Sequence, residues 1–180
     1  LHRDDRHERL VGDGRHHLRR AEPGVHVVVP DALRPTSAGA GNLYSVELFE
    51  LARARLADDG IVASWVPTDR VLAGAEATFP YVALVDVGSY NDSTFLLASR
   101  RPIQLDRAGL LARFDASSGH LPAAQRQRLR SMLERLRVRC ANAGATRPIE
   151  QEDRVDRDLW PRDELFLDNP SPAPRPRTCR

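Results

Sequence analysis

Short β-branched runs that alternate with helix-length amphipathic segments narrow the folds open to this chain more than any other feature. His26-Val27-Val28-Val29 is continuous, the pattern of a strand covered on both faces in a parallel sheet, and Pro30 stops it. A small-residue loop, Pro35–Gly41, leads to a helix that Ser45 is placed to cap, with Glu47 in its positively polarised first turn. Phe49, Ala52 and Leu56 give that helix one apolar stripe, Leu48 and Leu51 widen it, and Gly60 stands where a terminator belongs. Ile61–Val66 reads as a second strand ended by Pro67, and a short helix is expected over Asp69–Thr78. Tyr81–Val87 and Thr94–Ser99 are two more strands, joined through the turn-rich Gly88–Asp92. Strand, helix, strand, short helix and a closing hairpin make an α/β fold, parallel strands first and an antiparallel edge last.

The two ends read differently. Residues 1–20 are highly charged, with only Leu10, Val11 and Leu18 to bury. Residues 104–139 are expected to be helical: Pro122 suits a first helical position, and Leu129, Met132, Leu133 and Leu136 form one stripe. From Pro170 onward the chain is a Pro/Arg tail that should not pack. The expected organisation is an α/β domain over 1–114, a helical extension over 115–169 and a disordered tail over 170–180.

At 180 residues the chain fits one domain. It holds no run of about 18 apolar residues, so no membrane span is expected within it. Leu1 is not methionine and no apolar signal core follows, so the chain is expected to be a piece of a longer one or to begin at a miscalled start. All 27 basic residues are arginine, set against 25 acidic ones. The resulting charge of +2 argues against a nucleic-acid partner, which needs a concentrated basic patch. Cys140 and Cys179 have neither metal spacing nor a disulfide framework, which fits a reducing cytoplasm. His2, His7, His16 and His17 lack metal-ligand spacing, so no metal is expected. Ser37 and Ser64 lack a nucleophile elbow.

In open α/β sheets, ligands bind beyond the carboxyl ends of the strands. Asp31 lies just past the Val27–Val29 strand, and Asp13 follows Leu10-Val11, which reads as the end of a clipped strand. Each is followed by a small residue, Gly14 or Ala32, that lets a ligand approach the backbone. Spacing alone leaves each open as a ligand-binding group or as a turn or cap residue. Trp65, at a strand end, is a further candidate for lining a pocket, with core packing as its alternative.

Motifs add a resemblance. Gly12-Asp13-Gly14-Arg15 resembles the "DGR" or "DAR" segment of the spermidine synthase family, and Val27–Ala32 resembles its "DVIxxDA" strand end. Gly41–Arg53, GNLYSVELFELAR, is similar to the "GNLYSxEFFELAR" helix of the spermine/spermidine synthase-like group, and Gly60–Thr68 to its "GGLFVQWLPT" strand. Coverage is about residues 9–114. The resemblance implies the Rossmann-like fold of the S-adenosylmethionine methyltransferases, present here as a partial sheet. It implies aminopropyl transfer from decarboxylated S-adenosylmethionine, a co-substrate rather than a tightly bound cofactor, to a small-molecule amine, with release of methylthioadenosine. Asp13 and Gly14 would contact the adenine, and Asp31 would bind at the same site as the catalytic acid/base. The expected activity is thus spermidine synthase-like, with a small-molecule methyltransferase or a non-catalytic interaction module as alternatives.

Two departures stand out. Where the family has a second aspartate three residues on, this chain has Arg34, whose charge repels a diamine; Ala38 replaces a proline. The glycine-rich loop and ribose-binding acid that the family carries upstream have no counterpart in residues 1–12, so the chain corresponds to the second half of a catalytic domain. In the sheet this implies, Val27–Val29 would be an exposed apolar edge, which makes a homo-oligomer an expected partner state. The group often carries a membrane-transporter-like half at its N-terminus, so the intact protein is open to membrane attachment.

Overall fold

A computed structural model describes residues 7–30, 37, 39–86, 94–104, 106–151 and 155–165, with the side chains of 140–143 and 165 aside. Five strands form one sheet in the order β1 (Val25–Val28), β2 (Leu56–Trp65), β4 (Thr94–Ser99), β3 (Tyr81–Asp86) and β5 (Arg137–Ala143). β1 and β2 are parallel, and the other three pairings are antiparallel. The fold is α/β, with the parallel pair first and the hairpin after it, as the alternating pattern requires. Among the described residues, no helix is long and apolar enough to cross a membrane.

Helix α2 (Val46–Arg55) begins where its cap predicts: Ser45 Oγ accepts from the Leu48 amide at 3.2 Å, and Glu47 lies in the first turn. It ends earlier than the apolar stripe predicts. Leu56 leaves the helix for an extended backbone (φ −64°, ψ 143°) and opens β2. Gly60 is therefore no helix terminator. A Cβ there would sit 2.9 Å from the Val25 carbonyl oxygen and 2.9 Å from Leu56 Cδ2, so the glycine lets β1 pass close to the irregular start of β2.

Helix α3 (Asp69–Thr78) follows β2 as expected. α2 and α3 pack together on one face of the sheet. Tyr44, Phe49, Val71, Ala75 and Phe79 meet Val62, Val82, Leu84, Leu96 and Ala98 of alternating strand positions, all nearly inaccessible. Each large side chain in this layer contributes about 1.5–3 kcal/mol by burial. Trp65 packs against the same layer, so core packing accounts for it.

β1 departs from its sequence pattern. Val27 is 59% and Val29 63% exposed, so the strand is not covered on both faces. Its far edge carries no partner strand among the described residues. Leu10 and Val11, 60% and 91% exposed, form no strand; the chain instead enters α1 (Gly14–Arg20).

Beyond β4 come α4 (Arg107–Ser117), a single 3₁₀ turn, and α5 (Ala123–Arg135). Leu129, Met132 and Leu133 form the expected stripe, half-buried rather than buried, because α5 packs chiefly on α4. The expected helix stops at Arg135. Arg137–Ala143 joins the sheet as β5 against β3, so the extension that starts at residue 115 supplies a strand as well as a helix. The Pro/Arg tail, 170–180, lies outside the described residues.

Candidate functional site

A groove of about 740 Å³ runs between α1, β1 and the start of α2. Its floor is apolar, with Val27, Val29, Leu43 and Leu48; Arg15 and His17 stand on its rim. Pro30, the last described residue before Asp31, also lines it. Asp31 itself, with Arg34 and Ala38, lies outside the described residues.

Asp13 is the N-cap of α1. Its Oδ1 accepts from the amides of Arg15 (2.8 Å) and His16 (3.4 Å), satisfying two helix-terminal donors. Asp13 is exposed and stands beside the groove rather than on its wall. Gly14 is on the wall, and no atom lies within 4 Å of where its Cβ would be. At that point a ligand meets bare backbone at a helix N-terminus. Of the three residues expected to bind a nucleoside, then, Gly14 lines the groove, Asp13 caps the helix beside it, and Asp31 lies outside the described residues. Ser64 is 2% exposed and bonds the Trp65 carbonyl, a core arrangement.

A second set of residues holds the groove's walls together. The segment Val155–Leu165, whose last four residues form the short helix α6 (Arg162–Leu165), lies as a strap across the start of α2. Arg15 donates to both carboxylate oxygens of Asp158, at 2.6 and 2.7 Å, and its Nη1 also donates to the Asn42 carbonyl at 2.9 Å. Ser45 Oγ donates to Asp158 Oδ1 at 2.5 Å. Partial burial pushes the Asp158 carboxyl up, but the Arg15 and Ser45 hydrogen bonds and the charges of Arg15 and Arg19 outweigh it and hold the group below its ordinary value. Glu47 accepts from the Asp158 amide at 3.1 Å and pairs with Arg157 at 3.4 Å. Glu164 accepts from the amides of Gly39 (2.8 Å) and Gly41 (3.1 Å). A side chain at Gly41 would overlap Pro161, which explains the glycine that opens the helix motif.

Three residues of that motif, Gly41, Ser45 and Glu47, thus bind the strap. Sequence reading missed the strap because Asp156, Arg157 and Asp158 look like ordinary surface charges. The available signal was the clustering of acidic residues over 150–168 in a chain otherwise balanced in charge.

No family model matches the chain, and no curated protein matches it in sequence. Solved structures similar to it include a probable spermidine synthase from Corynebacterium glutamicum ATCC 13032, at 17% identity and a TM-score of 0.43. The match covers 79% of this chain and 54% of the other, so the chain spans about half of that protein's length.

Proposed function

We propose that this chain is part of a spermidine synthase-like aminopropyltransferase, with the groove between α1 and β1 taking the nucleoside of decarboxylated S-adenosylmethionine. The observation that carries the reading is the placement of Gly14. It puts bare backbone on the wall of a groove lined mainly by apolar residues, beside the Asp13 carboxylate. An apolar floor suits an adenine ring, and a carboxylate acceptor beside it suits the exocyclic amine. Asp13 Oδ2 remains available for that role, since both capping bonds end on Oδ1.

The chemistry asks for a base near the amine. An amine is cationic in water and must lose a proton before it attacks a carbon next to a sulfonium. A carboxylate at Asp31 attracts the amine, takes the proton and offsets the sulfonium charge. The sulfonium is already a good leaving group, so the remaining requirement is alignment. Arg34 supplies the observation for a second reading, a non-catalytic module, because a guanidinium three residues from the base repels a diamine.

The test is Asp31→Asn in the intact protein that carries this chain, with decarboxylated and intact S-adenosylmethionine competed against each other. Turnover should fall by about 100-fold or more, the scale of a general acid–base group, with the decarboxylated compound binding more tightly. Tighter binding of the intact compound would make the protein a methyltransferase. No binding of either would leave the non-catalytic module.

A further inference from the structure

The strap itself carries a pair of buried acids that the groove does not use. Asp156 is fully buried and Asp163 only 5% exposed, and their carboxyls interact directly. Asp163 is well supplied with donors: Arg70 Nη1 reaches its Oδ1 at 2.5 Å, and the Thr68 hydroxyl reaches its Oδ2. Asp156 is not. Its Oδ1 accepts from the Asp163 amide at 3.0 Å, while its Oδ2 is buried without a partner. Arg70 of α3 acts on Asp156 by its charge and is already bonded to Asp163. On the α2 side, Glu47 is engaged by Arg157 and the Asp158 amide, and Asp158 by Arg15 and Ser45. Among the described residues, the two carboxyls share the Arg70 guanidinium away from water, which is costly if both are ionised. A proton between them supplies the donor that is missing.

We propose that Val155–Leu165 is a pH-sensitive strap, latched over the start of α2 by one proton shared between Asp156 and Asp163 and released when that proton leaves. Asp156 is placed to act on the strap as a whole: its carbonyl accepts from the Val46 amide at 3.0 Å, in the first turn of α2. Burial first, and the Asp163 charge second, push the Asp156 carboxyl up to about 7. Once the strap is released, the same group returns to an ordinary value of about 3.9. A value raised in the latched state means latching is strongest below about pH 4 as far as Asp156 is concerned. Opening then grows up to about tenfold per pH unit until about pH 7 and levels off above it. Release takes Asp158 from Arg15 and Ser45, and Glu164 from the loop amides, so it loosens the α1 wall of the groove. The device stands whether or not the groove binds a nucleoside, because its readout is the backbone.

The experiment is amide hydrogen exchange of the whole chain between pH 5 and 8, corrected for intrinsic rates. It follows the Val46, Gly39 and Gly41 amides, which the strap covers. Their protection should fall by at least about 30-fold across that range. In Asp156→Asn, the side-chain amide accepts from the Asp163 N–H and donates to its carboxylate, so protection should stay level with pH. A pH-independent wild type, or an Asn variant with the wild-type slope, overturns the proposal. Should the variant fold poorly, the carbon-13 shift of the wild-type Asp156 carboxyl decides: a midpoint near 7 supports the latch, and one near 4 overturns it.

Discussion

Arg15 and Asp158 lie 143 residues apart and meet through two side-by-side hydrogen bonds of 2.6 and 2.7 Å. Ser45 bonds the same carboxylate, so a single side chain ties α1, α2 and the strap together. The tie fixes the separation of two groove walls. α2 is held by the core, whereas α1 has no buried residue of its own and takes its place from such ties.

This pairing should be measurable as a coupling. The two side chains are 11% and 31% exposed, so water screens the bidentate contact only in part. A double-mutant cycle of Arg15→Ala and Asp158→Asn should give a coupling of about 1–3 kcal/mol in unfolding free energy. A coupling below about 0.3 kcal/mol would mean the two contacts act independently.

The same carboxylate sets the acid limit of stability. Asp158 is held below its ordinary value in the folded protein, so its contribution is complete above the unfolded-state value of about 3.9 and is lost as pH falls through the folded one. Thermal unfolding of the wild type should therefore drop steeply below about pH 4. The Asp158→Asn protein, less stable at neutral pH, should show a shallower drop. Parallel curves would show that Asp158 is not the group responsible.

Much of the sheet was legible in the sequence because its signals are local. Thr94–Ser99 and Asp69–Thr78 carry their own punctuation, and Ser45 announces α2 three residues ahead of the amide it caps. The misreadings arose where a distant contact overrides a local pattern. Leu56 continues the helical stripe of α2, yet pairing with Val25 draws it into β2. Val138 and its neighbours look like the end of a helix, but the open edge of β3 captures them. Asp13 was visible as a candidate, and its capping role was one of the readings open to it. Acidic clustering marks the strap, but nothing in Asp156-Arg157-Asp158 declares that its partners are Arg15, Ser45 and Glu47.

Two glycines separate a spatial requirement from mere permissiveness. Gly60→Ala should destabilise the chain by about 1–3 kcal/mol, since the new Cβ is driven onto the Val25 carbonyl at 2.9 Å. Gly14→Ala meets nothing within 4 Å and adds a better helix former at the start of α1, so it should leave stability unchanged or slightly raised. Chemical denaturation of the two variants checks the contrast. Equal effects would refute the close approach of β1 to Gly60.

β1 supplies the last expectation. Among the described residues no strand pairs with its outer edge, and Val27 and Val29 beside it are 59% and 63% exposed. The strand's own sequence does not guard it: Val25–Val29 contains no Asp, Glu, Lys or Arg, and the first proline is Pro30. Natural sheet edges are usually protected by charge, proline or a covering element, and an unguarded apolar edge is a template for another strand. Two copies can satisfy each other by antiparallel pairing of β1 about a twofold axis, which continues the five-stranded sheet into the partner. Sedimentation velocity of the 180-residue chain should show concentration-dependent association. Val27→Lys puts a charge at the centre of the edge and should restore the monomer without lowering the melting temperature, because the side chain it replaces faces solvent. A wild type that stays monomeric at high concentration, or a Lys variant that associates as before, would mean the edge is covered by another part of the chain.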